Sequence, residues 1–367
     1  MAVVTGSDDL RLVDHHCHSV VGHELDAAGF GALLTEAPAP AGDPWDSMLG
    51  LAVRRECAPV LDLPRHVPAA DYLARRGELG VAEATRRLLA ACGTDALLVD
   101  HGLRAGDLLG LDALAEAAGA PVAEVVRLEA VAEDVAAWGV APGDYADALV
   151  EELDRRTRAA VACKSILAYR YGFDVPPHPP APAEVAAAAR HWLHDGGRLR
   201  HPVLLRHALW CGVDRGLPLQ LHTGFGDPDE DLHRANPVLL TAFCRATAGT
   251  GTPVVLLHCY PYHREAAWLA QVFPHVWFDV GLASTYVGHR AAEVLAEALE
   301  LAPFGKLLYS SDAFGLPELY LVAARAFRRA ADRVLGGWHA EGEAGGDDVR
   351  RIAAMIAGGN ARRLYGL

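Results

Sequence analysis

Lysine is nearly absent from this sequence. Of the 33 basic residues only Lys164 and Lys306 are lysines, so arginine fills almost every ordinary surface role. Lys164 lies inside an apolar segment. In such a lysine-poor sequence, this position indicates a function that needs an amine and that a guanidinium does not perform.

Other absences exclude whole classes of protein. There is no C-x-x-C pair and the number of cysteines is odd, at seven, which argues against a disulfide framework or a cysteine zinc site. We expect most of these cysteines to be small core residues. There is no basic run, and the net charge is −14, which argues against nucleic acid or an anionic membrane as a partner.

Long apolar runs are missing as well. No stretch of about 18 apolar residues occurs, and Met1–Asp9 lacks a basic-then-apolar signal pattern. We therefore expect a soluble, cytoplasmic protein whose partner is a small-molecule substrate. The hydrophobic fraction of 51% in 367 residues is ample for a large core. Because α/β barrels of this length are often single units, we expect one domain over residues 1–367.

Short apolar runs alternate with alanine-rich stretches of helical spacing, such as Val81–Cys92, Tyr145–Arg158, Val203–Arg215 and Tyr286–Leu301. Alternating strands and helices predict a parallel sheet, and eight repeats predict a (β/α)8 TIM barrel, an α/β fold. An open doubly wound sheet is the alternative, but no G-x-G-x-x-G follows a strand. The predicted strands are Arg11–His18, Ala96–His101, Val125–Ala130, Ala159–Leu167, Leu217–Thr223, Pro253–His258, Val276–Gly281 and Leu307–Asp312.

Three segments are too long or too stiff for a simple connection. Residues 36–78, rich in Pro and Asp, are predicted to be an insertion after strand one, and with Trp45 they are a candidate lid. Pro176–Pro182 is a stiff connector after strand four. Gly336–Gly346 is predicted to be an exposed loop before the last helix.

Metal-binding residue types stand at the ends of several predicted strands. Strand one ends in Asp14-His-His-Cys-His18, and because a strand alternates its side chains, His16 and His18 face the same side. In a barrel the carboxyl ends of the strands converge on one mouth. A single histidine after an apolar run is usually a hydrogen-bonded core or loop residue, but such a set predicts a metal site. The other members of the set are His222, His258 and Asp312, and strand four carries Lys164 at the same end of the barrel.

This arrangement resembles the metal-dependent amidohydrolase superfamily. Further segments resemble the branch with aminocarboxymuconate semialdehyde decarboxylase and, more closely, the nodulin-like amidohydrolase domain fused to some glutamine synthetases. The resemblance spans nearly the whole chain. The segments are Val161–Arg170, Leu257–Ala266, Ser310–Phe314 with Pro317-Glu318, and Gly359–Tyr365.

The resemblance implies a role for each strand-end residue. His16, His18, His222 and Asp312 would bind a catalytic metal, Zn²⁺ first, with Mn²⁺ or Fe²⁺ also suited to these ligands. The metal would lower the pKa of a water towards ~7. Asp312 would take and return a proton, and His258 would polarise the scissile carbonyl.

Lys164 leaves three readings open. A carbamylated lysine would bridge two metal ions, and His258 would then bind the second. An ammonium would pair with a substrate carboxylate or with Asp312. A structural ion pair is the third reading.

Residues near the mouth are further candidates for binding substrate. The guanidinium of Arg170 could bind a substrate carboxylate through two hydrogen bonds. The equal alternative is that Arg170 is an ordinary loop arginine. Arg127 and Glu129 alternate with apolar neighbours on strand three and are predicted to share a face, and His101 ends strand two. His15 faces away from His16 and is expected to be structural. His263 and Glu318, read as loop residues, complete the set.

These observations predict a metal-dependent hydrolase that cleaves an amide, related C–N or ester bond of a small carboxylate-bearing molecule. The first alternative is a metal-dependent nonoxidative decarboxylase or other lyase, since the same branch hosts that chemistry. A metal-binding protein without turnover is the second, and it would be supported by departures from the ligand set. Related barrels suggest a homodimer.

Overall fold

Strands and helices alternate along the chain in the computed structural model, which describes Gly6 and residues 9–367. Most of Met1–Asp9, considered above for a signal pattern, lies outside these residues. The strands are β1 Leu12–Cys17, β2 Thr94–Asp100, β3 Val122–Arg127, β4 Ala162–Ser165, β5 Leu219–Thr223, β6 Val254–His258, β7 Val276–Asp279 and β8 Leu307–Leu308.

The helices fill the connections between these strands and follow the last of them. They are α1 Ala27–Ala32, α2 Met48–Glu56, α3 Ala69–Leu79, α4 Val81–Ala90, α5 Leu111–Ala118, α6 Leu128–Ala137, α7 Tyr145–Arg156, α8 Leu167–Arg170, α9 Pro182–Asp195, α10 Pro202–Asp214, α11 Thr241–Thr247, α12 His263–Val272, α13 Gly281–Tyr286, α14 Ala291–Leu299, α15 Pro317–Glu341, α16 Gly346–Ala354 and α17 Asn360–Tyr365. Among the described residues, none of these helices has the length and apolar composition needed to cross a membrane.

All eight strands belong to one sheet, in the order β1 to β8. The pairs with a continuous register, such as β4 with β5 and β5 with β6, are parallel. The last and first strands also meet, because the His15 N–H donates to the Tyr309 carbonyl just after β8, at 3.2 Å. The prediction of a (β/α)8 barrel is confirmed.

Contacts between residues divide the chain into two compact units. The first unit comprises Met1–Ala123 and Asp279–Leu367, and the second comprises Glu124–Phe278. Most strand residues of both units are buried, and most of these are apolar, as expected for parallel strands covered by helices. The single-domain assignment for 1–367 stays a prediction.

The insertion at 36–78 is largely helical and lies in the first unit. It holds α2, a 3₁₀ turn and α3. The Trp45 ring stacks on the Phe30 ring at 5.3 Å between centroids, and the Tyr72 ring packs on both. Trp45 is therefore a core residue, and the role of this segment as a lid stays a prediction.

Several predicted boundaries were wrong. Strand β8 ends at Leu308 rather than Asp312, and β4 spans Ala162–Ser165 rather than Ala159–Leu167. Strand β3 ends at Arg127 rather than Ala130, because α6 begins at the next residue without an intervening turn. The predicted helix Tyr286–Leu301 is interrupted at Gly288, whose φ of +59° ends α13. The loop predicted from Gly336 begins only at Gly342, since α15 continues to Glu341 and buries Gly336.

Candidate metal centre

The end of β1 carries two buried imidazoles. His16 lies in the strand and His18 just beyond it, and their rings meet edge to face at 5.4 Å. The pleat of the strand places both rings on one side, as the sequence predicted. They supply a pair of nitrogen donors in the first unit.

Asp312 brings a carboxylate to the same pair. Its Oδ1 lies 3.1 Å from Nε2 of His16 and 3.5 Å from Nε2 of His18. Asp312 has a left-handed backbone, with φ of +49°, and its N–H donates to the His16 carbonyl at 3.1 Å. A non-glycine residue in this conformation is held there by its surroundings, and such positions cluster at functional sites.

Asp14 holds the segment before Asp312 in place. Its two carboxylate oxygens accept the N–H and the hydroxyl of Ser311. Burial raises the pKa of Asp14 to about 7, although the hydrogen bonds from Ser311 oppose the shift. The first residue of the D-x-H-x-H run thus positions the turn that carries Asp312.

Asp100, at the end of β2, is a member of this cluster that the sequence analysis missed. The Nδ1 of His18 lies 2.8 Å from the Asp100 carbonyl oxygen, which fixes the ring and turns Nε2 towards Asp312. The Asp100 carboxylate also approaches the ligand atoms of His16 and His18, all within 4.8 Å of one another. An acidic residue at a strand end could have indicated this role in the sequence. The prediction named the neighbouring His101 instead.

The donor atoms have the spacing of a metal site. Two ligand atoms bound to one tetrahedral zinc ion, with bonds of about 2.0–2.1 Å, lie about 3.3 Å apart. The 3.1 and 3.5 Å separations from Asp312 to the two imidazoles match this value. Imidazole with carboxylate is a donor set that suits zinc, and these residues therefore fit a divalent metal ion.

His15 faces away from His16 and joins a separate buried group. Its Nε2 lies 3.0 Å from a carboxylate oxygen of Asp279, and its Nδ1 lies 3.0 Å from the Tyr365 hydroxyl. The ring therefore ties β1 to the end of β7 and to α17. This is a structural role, as the sequence indicated.

In the second unit, Lys164 is a buried side chain with 2% of its surface exposed. In the sheet it pairs with Arg127 on β3 and with Gln220 on β5. Side chains of directly paired residues share a face, so Lys164 and Arg127 lie side by side. Two adjacent buried basic side chains, when charged, favour an anionic group nearby.

His222 and His258 lie together at the ends of β5 and β6, with ring centroids 4.7 Å apart. Both His258 and Cys259 have left-handed backbones, with φ of +67° and +58°. The Thr223 hydroxyl donates to the Leu257 carbonyl at 2.6 Å and braces this turn. The unusual backbone at His258 is thus set by the neighbouring strand.

Two further residues contact His222, and the sequence analysis gave neither a role. The Tyr169 ring lies 4.1 Å from the imidazole, between centroids. Glu230, in the loop after β5, places Oε2 at 3.2 Å from Nε2 of His222. Burial raises the pKa of Glu230 to about 8, and Asp227 adds to the shift. An acidic Asp-Pro-Asp-Glu-Asp loop is typical of solvated surface, so the sequence carried no signal for a buried acid.

The predicted substrate-binding residues have varied surroundings. Arg170 is buried beside Glu133, at 3.2 Å, and burial lowers its pKa. Glu129 does not share a strand with Arg127, because it lies in the first turn of α6. Its Oε1 accepts bonds from Ser165 and from the N–H of Ile166, and burial raises its pKa. His101 follows β2 and is half-buried. Roles for these residues in binding stay predictions.

Glu318 and His263 are helical rather than loop residues. Glu318 lies in the first turn of α15 with no exposed surface. The guanidinium of Arg76 donates to its Oε1 at 2.8 Å, and the Tyr72 hydroxyl donates at 3.0 Å. Glu318 therefore anchors the insertion, and the prediction that it is a loop residue was wrong. His263 begins α12.

Comparison with known proteins gives consistent findings. A family model described as amidohydrolase matches residues 13–367. Protein fluG of Emericella nidulans is 31% identical over 310 residues, which are 75% of this chain and 36% of that protein. The chain thus spans little more than a third of this relative's length.

Solved structures with the same fold include a Lactobacillus casei ATCC 334 protein assigned as a metal-dependent hydrolase. It has a TM-score of 0.88 and 31% identity, covering 99% of this chain and 97% of that one. A uronate isomerase from Thermotoga maritima has a TM-score of 0.67 at 13% identity, covering 99% and 96%. The second likeness shows the fold alone.

Proposed function

Because this chain belongs to the amidohydrolase family, we propose that it is a metal-dependent hydrolase. Its substrate is a small molecule that carries a carboxylate, and the bond cleaved is an amide, a related C–N bond or an ester. The Lactobacillus casei relative, at 31% identity over nearly the full chain, supports a hydrolase over the other chemistries of this fold.

The observation that carries the proposal is the position of Asp312. Its Oδ1 lies within 3.5 Å of the Nε2 atoms of His16 and His18, at the spacing that one tetrahedral ion imposes. We propose that His222 of the second unit completes the ligand set. Three imidazoles and one carboxylate suit Zn²⁺, with Mn²⁺ or Fe²⁺ as alternatives that metal analysis distinguishes.

A zinc ion bound by these residues supplies a Lewis acid that lowers the pKa of water towards ~7. The protein's own side chains transfer the proton and stabilise the charge that develops. Asp312 accepts a proton from the attacking water and returns it to the leaving group. The His258 imidazole donates a hydrogen bond to the carbonyl oxygen as negative charge develops there.

Recognition of the carboxylate is assigned to basic side chains of the second unit. Lys164, as an ammonium, and its neighbour Arg127 form a buried positive region on one face of the sheet. The planar guanidinium of Arg170 can donate two parallel hydrogen bonds to a carboxylate. Its present partner is the side chain of Glu133, which is 30% exposed. His101 and Glu129 are each proposed to contact the substrate.

The test is metal content together with activity. Purified wild type, His16→Ala and Asp312→Asn are compared by elemental analysis, and hydrolysis is assayed on N-acyl amino acids and on their carboxylate-free amides. We expect each variant to lose at least about tenfold in metal affinity, since a ligand contributes at least as much as the supporting residues that orient it. His23→Ala, at an exposed histidine of the same unit, should keep its metal.

Two results would overturn the proposal. If both variants fold and bind metal as well as wild type, these residues are not ligands. If the metal-loaded protein releases carbon dioxide from aromatic acids and cleaves no amide or ester, the protein is a decarboxylase of the same superfamily.

A further inference from the structure

The first unit contains an open cleft where α2, the start of α14 and the middle of α15 come together. Its volume is about 470 Å³, and sites for small molecules have volumes of about 300–1,000 Å³. The lining residues all belong to this unit, and none of them is a proposed metal ligand. The polar ones are Arg55, Arg329, Arg333, His289 and Asp332, and the others are alanines and one glycine.

Positive charge dominates the lining of this cleft. The side chains of Arg55, Arg329 and Arg333 are 35%, 44% and 66% exposed, so all three reach solvent. Three arginines against the single aspartate of the lining leave a net charge of +2 when His289 is neutral. The whole chain, by contrast, has a net charge of −14. The cleft is therefore a local basic site on an acidic protein.

The glutamates that pair with these arginines do not line the cleft. Oε1 of Glu56 accepts hydrogen bonds from Nε of Arg55 at 2.6 Å and from Nη1 of Arg329 at 2.5 Å. Within the described part of the chain, these are the only hydrogen bonds of the two guanidinium groups, and each group has five N–H donors. Nη2 of Arg333 lies 3.3 Å from Oε1 of Glu293. Most of the donors therefore stay available to a bound anion.

The charge of Arg329 is incompletely balanced by its partner. Burial lowers the pKa of Arg329, and Arg55 and Arg325 add to the shift, although Glu56 opposes it. Arg325, Arg329 and Arg333 also follow one another at i,i+4 spacing along α15, where like charges repel. An anion bound between the guanidinium groups would offset this repulsion.

We propose that the cleft binds a small molecule that carries a phosphate monoester. Such a group has a charge of about −1.5 to −2 at pH 7, which matches the net charge of the lining. Guanidinium groups bind phosphate oxygens through paired hydrogen bonds. The lining alanines are buried, at 3–7% exposure, and form an apolar surface for the rest of the molecule. The site is separate from the proposed metal centre, and its ligand is not the substrate.

The test measures binding to the full, metal-loaded chain by isothermal titration calorimetry. Phenyl phosphate is the first ligand, because its ring can contact the alanines. Inorganic phosphate lacks the apolar group, and benzoate replaces the phosphate with a group of lower charge. We expect wild type to bind phenyl phosphate more tightly than either of the other two.

Variants of the arginines identify the binding site. Arg329→Met combined with Arg333→Met removes two charge-assisted hydrogen bonds and should weaken phenyl phosphate binding at least about tenfold. Arg333→Met alone should weaken it about threefold, because this side chain is mostly exposed. The matched control is Arg86→Met, which removes the same charge at a 58% exposed position of the first unit. It should bind as wild type does.

Circular dichroism establishes that each variant folds, and if the double variant does not, Arg333→Met decides. Binding of phenyl phosphate that is absent in wild type, or equal in wild type and the arginine variants, would overturn the proposal. Equal affinity for inorganic phosphate would overturn the assignment of an ester, since the alanines would then contribute nothing. Equal affinity for benzoate would overturn the assignment of a phosphate. The proposed function fails separately, because its test is loss of metal in His16→Ala.

Discussion

Asp14 and Ser311 are joined by two hydrogen bonds, so the residue two positions before His16 holds the residue just before Asp312. The link joins the middle of β1 to the segment after β8. Two proposed ligands that are almost 300 residues apart in the chain thus depend on one buried carboxylate.

Replacing Asp14 by Ala should weaken both the fold and the metal site. It leaves the Ser311 N–H and hydroxyl buried without their partner, which costs about 2–4 kcal/mol of unfolding free energy. Metal affinity should fall ~10–100-fold, the effect typical of residues that orient ligands. Urea unfolding and chelator competition measure the two effects. Asp95→Ala, which removes surface ion pairs with Arg11 and Arg362, should cost no more than ~1 kcal/mol for each pair.

Removing Arg76 should destabilise the protein strongly. Its guanidinium binds Glu318, which has no exposed surface, so Arg76→Ala leaves a buried charge unpaired and costs about 3–5 kcal/mol. The double variant Arg76→Met with Glu318→Leu should recover most of the loss. Additive losses in urea unfolding would show that the two side chains do not act as a pair.

Lys164→Met should impair recognition of the substrate carboxylate without releasing the metal. A buried hydrogen bond between charged groups contributes about 1.5–3 kcal/mol to binding, so its loss should raise KM by ~10–100-fold. A substrate analogue with an esterified carboxylate should show no difference between variant and wild type. Loss of half the metal in the variant would instead indicate that Lys164 is a carbamate bridging two ions.

Glu152 should make stability depend on pH in acid. Hydrogen bonds from Arg155 and then Arg156 lower the pKa of Glu152 to about 2 from its ordinary 4.5. Because the pKa is lower in the folded than in the unfolded protein, the ionised Glu152 stabilises the fold above pH 4.5. This stabilisation is lost as the pH falls towards 2. Glu152→Gln should therefore be less stable than wild type at pH 7, by no more than ~1 kcal/mol because Arg155 is exposed.

Denaturant unfolding at pH 7 and near pH 2 measures this difference. Glu151→Gln, at the adjacent exposed position, is the control and should match wild type at both pH values. A deficit in Glu152→Gln that persists unchanged in acid would contradict the ion-pair origin of the effect.

The sequence was sufficient for the architecture because parallel barrel strands are short apolar runs with clear limits. The Pro253–His258 prediction, for example, differs from β6 by one residue. The error at Glu129 has a physical reason: α6 begins directly after β3, and no Gly or Pro marks the change of period. Alternation of side chains alone could not separate a strand end from a first helical turn.

The parts of the site that escaped prediction depend on tertiary contacts. Asp100 acts on His18 through a main-chain carbonyl, which every residue type carries. Glu230 belongs to an acidic loop whose composition indicates exposure to solvent, but its carboxylate lies buried beside His222. Contacts of this kind are set by backbone course rather than by residue type.

The contact between His15 and Tyr365 also bears on how the protein is made. His15, in β1, leaves the ribosome 350 residues before Tyr365. The strand that carries His16 therefore lacks the contact with Tyr365 while those 350 residues are synthesised. A nascent chain stalled before α17 should hold these histidines in a strand that is not yet locked, and it should capture metal less readily than the released protein.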